Sequence, residues 1–335
     1  MGIGVVALGL SPGMTRDSDH QEVTLLGSIA FVFPGQGSQS LGMLADLAAT
    51  HPLVQEVFAD ASAALGEDLW QLVQEGPVER LNQTRLTQPA MLAAGYAVYR
   101  VWEEEGGGAP DFVAGHSLGE YTALVAAEAL DFADAVRLVA ERGRLMQEAV
   151  PEGMGSMAAV IGLGDDELRQ LCQQEAQGDV LAPANFNAPG QVVVAGTQAA
   201  VERLMEAARA AGAKRVVLLP VSVPSHCALM QGAAEAFRAA LAATTLRSPK
   251  VMVVHNVDVQ SHNDVAAIRE ALVRQIYSPV RWTESIRHLA RQGATTFLEL
   301  GPGRVLSGLG KRIEPSLTML HVEDGKSLKT ALEVV

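Results

Sequence analysis

The chain reads as an α/β protein with a parallel sheet core and an inserted second domain. Three observations carry that reading. Short apolar, strand-like segments alternate with longer helical ones, and 32 glycines are spread among them, which favours α/β over a bundle or a sandwich. From Gly155 to about Val221 the rhythm shortens to strand, helix, strand, strand, helix, strand, the βαββαβ order of a ferredoxin-like domain. The 335 residues, 48% hydrophobic and 19% charged, suffice for a large core and a second, smaller one.

Ile29–Phe33 is a buried strand, and Pro34–Gln39 is the glycine-rich loop after it. Helical patterning then runs to Glu105, and Gln88–Trp102 is apolar on most faces, as a helix packed on a sheet would be. Gly106–Gly108 ends it. Asp111–Ala114 is the next strand, Tyr121–Leu130 a helix, and Asp131 a suitable N-cap for a helix reaching towards Val150. Within the insert the expected strands are Ser156–Ile161, Val180–Phe186, Gln191–Ala195 and Arg215–Leu219, with helices over Asp165–Ala176 and Ala199–Ala211. Later strands fall at Val251–His255, Thr295–Leu300 and Thr318–His321. The large domain is therefore expected to comprise 28–153 and 222–335, with the small one at 154–221. Residues 1–27 are expected to be a poorly ordered extension: Met1–Leu10 is apolar but lacks a basic flank, and Val6 stands where a myristoylation motif needs a hydroxyl.

A net charge of −13 argues against nucleic acid as a partner, because phosphate binding needs cation density. The two cysteines, Cys172 and Cys227, form neither a CxxC pair nor a histidine-rich cluster, so no disulfide framework and no metal site is indicated. A reducing cytoplasm and no membrane anchor are expected.

Gly115-His116-Ser117-Leu118-Gly119-Glu120 lies between a strand and a helix, where flanking glycines allow a strained turn that projects a serine hydroxyl from the sheet end. Serine needs a base to become a nucleophile. Of eight histidines, His116 is expected to pack within the turn, whereas His226 opens a helix where the insert returns to the large domain. Gln36 follows a strand in a glycine-rich loop, but Ser40 occupies the place of the third glycine of a dinucleotide fingerprint. Glu120 is expected to complement a helix dipole from the first turn.

Phe33–Gln39, Gly115–Glu120, Ala140-Glu141-Arg142-Gly143, Val221–Cys227 and Gly301-Pro302-Gly303 together resemble the malonyl-CoA:acyl carrier protein transacylase family of type II fatty acid synthesis, over nearly the whole chain from about residue 29. The resemblance implies an α/β-hydrolase-like large domain, a Ser117–His226 dyad, and an oxyanion hole of the Gln36 and Leu118 backbone N–H groups. It implies that Arg142 grips the free carboxylate of a malonyl group, a task suited to its planar fork. Through Arg274-Gln275-Ile276-Tyr277 it implies that the Gln275 main-chain carbonyl orients the histidine. Gln88 and Asn185 are candidates for the pocket wall, with core or turn roles as the alternative. Arg304, Lys311 and Arg312 are either a solvated basic face or a docking surface for an acidic carrier protein.

The implied reaction moves malonyl from malonyl-CoA to the phosphopantetheine thiol of acyl carrier protein, a transient partner, with no bound cofactor or metal and the enzyme a monomer. Three rivals remain at this level: a discrete acyltransferase of a polyketide synthase, an acyl-thioester hydrolase, and a non-catalytic carrier-binding module. A hydrolase has no need of a fixed cation facing the acyl tail, and a binding module has no need of an intact serine.

Overall fold

The computed structural model describes residues 1, 27–221 and 223–335, so the expectation for the N-terminal extension lies almost wholly outside the described residues. Among the described residues, nine strands form two sheets. β1 (Ser28–Phe33), β2 (Phe112–Gly115), β7 (Met252–Val254), β8 (Ala294–Leu300) and β9 (Thr318–Val322) form one, in the order β7-β2-β1-β8-β9 with every pair parallel. β3 (Gly155–Ile161), β4 (Leu181–Ala188), β5 (Gln191–Thr197) and β6 (Arg215–Leu218) form the other, antiparallel in the order β4-β5-β3-β6. The fold is mixed α/β, a parallel core with a small antiparallel sheet.

Parallel strands are buried on both faces, and β1 shows how alternation assigns them. Phe31 and Phe33 face one core, where Phe31 meets Trp102 edge-on at 6.0 Å from the Thr84–Glu104 helix. Ala30 and Val32 face the other core, with Trp282, Ile286 and Leu289 of the Trp282–Arg291 helix. Helices therefore cover both faces of the parallel sheet.

In the small sheet, Ala158, Val160, Val192 and Val194 pack under the Asp165–Ala176 and Gln198–Ala210 helices. The opposite face, through Met157, Val193 and Ala195, packs on Cys227. The two ends of the insert meet: a Cβ at Gly155 would lie 2.4 Å from Pro224 Cγ. That contact sets the return segment carrying His226 against the start of β3.

Candidate active site

β2 ends at Gly115, and the chain reverses through Ser117 at φ 53, in the left-handed region, before the Gly119–Ala126 helix. Such a conformation costs a non-glycine residue about 1–3 kcal/mol. The flanking glycines are obligatory. A Cβ at Gly115 would lie 1.8 Å from Gly119 C, and one at Gly119 would lie 2.1 Å from Phe33 O. Asn256 clamps the turn: its Oδ1 accepts from Ser117 N–H at 2.7 Å, and its Nδ2 donates to Gly115 O at 2.7 Å.

His226 does not open a helix. It has φ 64 and precedes a short 3-10 turn, Ala228–Met230, with the helix proper at Gln231–Ala243. The tight turn is what aims its ring at the serine. Nε2 lies 2.8 Å from Ser117 Oγ, and Nδ1 lies 2.7 Å from the Gln275 carbonyl. A carbonyl can only accept, so Nδ1 carries the proton and Nε2 is free to take one from serine. The His226 backbone N–H donates to Ile276 O at 3.1 Å. Both acceptors belong to the last turn of the Val265–Tyr277 helix, whose terminal carbonyls lack helical partners and carry the negative end of its dipole. Among the described residues, no carboxylate contacts the ring. Burial, reinforced by the nearby Arg142 cation, holds the imidazole neutral down to about pH 3.

Arg142 is 1% exposed, on the Phe132–Glu148 helix. Its Nη1 donates to Gln88 Oε1 at 2.8 Å, and its Nη2 to Gln275 Oε1 at 2.9 Å and to Ser117 Oγ at 3.3 Å. The guanidinium also lies over the Tyr121 ring, 5.3 Å from the centroid. Its Nε has no acceptor, and no acidic side chain pairs with it among the described residues. A buried cation held only by neutral groups is incomplete as a charge, and a carboxylate fits the fork.

The loops after β1 and β2 abut, since a Cβ at Gly35 would lie 2.4 Å from His116 O. Gly301, at φ 141, buttresses the first loop, with its own added Cβ 2.9 Å from Pro34 Cγ. Because Ser117 N–H is taken by Asn256, the donor next along is Leu118 N–H. Neither it nor Gln36 N–H donates to another group among the described residues.

Ser117, His226, Arg142, Gln275 and Gln88 are thus joined directly by hydrogen bonds. Asn185 is not joined to them. It is buried on β4, paired with Val193 and bridged to Val280. His116 turns away to Asn187 Oδ1 at 2.8 Å and packs edge-on against Trp282. Arg304 precedes the Val305–Ile313 helix, and Lys311 and Arg312 sit in its last turn, where Arg312 bonds Gln191.

Glu120 does more than complement the helix dipole. It is in the first helical turn, but it is fully buried, and its carboxylate accepts from His255 Nδ1 at 2.7 Å, Asn256 N at 2.9 Å and Gln275 Nε2 at 2.8 Å. A signal existed in the sequence: Glu120 is the lone charged residue of Gly119–Ala126, so this helix has no charged face to hold it in solvent, and all eight residues are buried. Asn256 and His255 gave no such signal, since their roles depend on where β7 ends. Among the described residues, no cluster of His, Cys, Asp and Glu could hold a metal, and no helix is long and apolar enough to cross a membrane.

Residues 30–326 match the family described as acyl transferase domain. The malonyl CoA-acyl carrier protein transacylase of Escherichia coli K12 is 58% identical over 305 residues, covering 91% of this chain and 99% of the relative. The malonyl CoA-acyl carrier protein transacylase of Coxiella burnetii superposes with a TM-score of 0.90 at 51% identity, over 92% of this chain and 97% of that one. A malonyl-transacylase solved with its holo type II PKS acyl-carrier protein also has a TM-score of 0.90, at 56% identity over 91% and 99%.

Proposed function

The chain belongs to the acyl transferase domain family, and from that premise we propose that it moves malonyl from malonyl-CoA to the phosphopantetheine thiol of an acyl carrier protein, by way of a malonyl ester on Ser117. His226 Nε2 takes the Ser117 proton as Oγ attacks the thioester carbonyl. The oxyanion forms against the Gln36 and Leu118 N–H groups, each worth about 3 kcal/mol of barrier. Collapse expels the CoA sulfur, which takes the proton from His226. The carrier thiol then gives its proton to His226, its sulfur attacks the ester, and Ser117 leaves and is reprotonated. The helix-end carbonyls at Gln275 and Ile276 supply partial negative charge for the imidazolium that forms twice in the cycle.

The observation that carries the acyl choice is Arg142, buried without an acidic partner and 3.3 Å from the nucleophile. A malonyl carboxylate fits there, and an acetyl group leaves the cation uncompensated. Gln88 lines the same pocket through its bond to Arg142. Asn185, buried on the small sheet, is kept as a candidate for the pocket wall. We take 28–153 with 222–335 as the large domain and 154–221 as the small one.

Fatty acid and polyketide synthesis use the same carrier thiol, and the chemistry serves either. We place the protein in the cytoplasm, in keeping with two free, buried thiols, and no metal or redox cofactor is required by the steps above. A monomer accords with exposed apolar residues scattered singly, as at Leu218, Met252 and Val305.

The test is the acyl-enzyme. Purified protein mixed with malonyl-CoA is expected to gain one malonyl mass, mapped to the Ser117 peptide, and to lose it on adding holo carrier protein. A folded protein that gains no adduct, or whose adduct goes to water instead of carrier, overturns the proposal.

A further inference from the structure

We propose that Glu120 is a positioning residue for acyl choice, acting on Arg142 through the side-chain amide of Gln275; this rests on the reading of Arg142 given above. The amide has one orientation open to it. Its Nε2 faces three acceptors: Glu120 Oε2 at 2.8 Å, Ser117 O at 2.9 Å and Asn256 Oδ1 at 3.4 Å. An NH2 group so surrounded cannot exchange places with its oxygen without setting acceptor against acceptor. Oε1 must therefore face Arg142 Nη2, where it lies at 2.9 Å. The carboxylate is the one full charge in that set, and it makes the strongest of the bonds that hold the amide.

Glu120 has a second arm. The same Oε2 holds Asn256 N, and Asn256 clamps the serine turn. His255, behind the carboxylate, bonds the other oxygen and stacks on His262 at 5.2 Å. Loss of the serine arm weakens transfer of every acyl group alike, because Ser117 attacks them all. Loss of the arginine arm weakens only acyl groups that carry a carboxylate. The ratio of malonyl to acetyl loading therefore isolates the arginine arm from any general structural role.

Single-turnover loading from malonyl-CoA and acetyl-CoA, read by intact mass, is compared across wild type, Glu120→Gln, Gln275→Met and the double variant. Gln275→Met removes the amide but keeps the main-chain carbonyl that holds His226. Each single variant is expected to lower the malonyl-to-acetyl ratio about tenfold, the scale of one charge-assisted hydrogen bond. The double variant is expected to fall no further than Gln275→Met alone, since both changes cut one path. An unchanged ratio in Gln275→Met, or in a folded Glu120→Gln, overturns the proposal, as does a double variant whose loss is the product of the single losses. If wild type itself forms no malonyl ester, the proposed function fails first, and the two failures are told apart.

Discussion

Arg142 Nη2 lies 3.3 Å from Ser117 Oγ, so the cation and the nucleophile share one small volume. A short diacid thioester can reach both at once, with its carbonyl at the serine and its carboxylate at the guanidinium. The nearby charge also has a cost for the base, because it disfavours a second cation on His226.

Arg142→Ala is expected to lower malonyl loading by about 10–100-fold, the worth of 1.5–3 kcal/mol for bonds to a charged group. Acetyl loading should hold or rise. Parallel single-turnover rates with the two thioesters check this, and an equal fall for both removes the carboxylate-clamp role.

The pH dependence follows from the depressed His226 value. The free base is retained as pH falls from 7 towards 5, so malonyl loading should lack the fall near pH 6.5 that an ordinary histidine shows. The unfolded chain takes up a proton near pH 6.5, and the folded one only near pH 3. The contribution to stability is therefore present above 6.5 and is lost as pH falls through that window, by about 1.4 kcal/mol per unit. Denaturant titrations of wild type and His226→Ala between pH 7 and 5 should show a shallower slope for the variant.

Ser117→Ala and Ser117→Gly both remove the hydroxyl and should both abolish the adduct. At φ 53 the glycine variant is expected to be the more stable of the two by about 1 kcal/mol. Equal unfolding midpoints would show that the turn is not strained by its side chain.

Gly115→Ala forces a methyl to within 1.8 Å of Gly119 C, a main-chain atom that cannot step aside. Destabilisation of about 3 kcal/mol or more is expected, in the class of severe backbone effects. Gly153→Ala is the control: unlike Gly115 it carries the added strain of a positive φ, 81°, but nothing lies within 4 Å of an added Cβ, so its loss should still be the smaller.

Strand positions such as β2 and β8 are legible because short apolar runs between glycines have few other uses. The βαββαβ order of the insert is likewise a local pattern. The order β7-β2-β1-β8-β9 is not, since it depends on pairings between segments far apart in the chain. In the site, Ser117 stands out through its flanking glycines, but nothing near His226 in the sequence says that it meets a helix end formed some 50 residues later. The first-turn place of Glu120 is legible, and it is the lone charge in Gly119–Ala126, but the groups that engage its carboxylate lie at His255, Asn256 and Gln275, far along the chain. Asn256 could not have been found locally, because the two atoms of the serine turn that it clamps lie on the far side of the insert.

The acceptor for His226 Nδ1 is a main-chain oxygen, and that bears on how such a site can evolve. A triad held by an aspartate can be broken by one codon change. Here a substitution at position 275 leaves the carbonyl in place and alters what the side-chain amide touches, the guanidinium of Arg142, the Glu120 carboxylate and the main chain of the serine turn. A saturation library at that codon would therefore search acyl preference while the base stays oriented, so this enzyme can explore new substrates without first losing its chemistry.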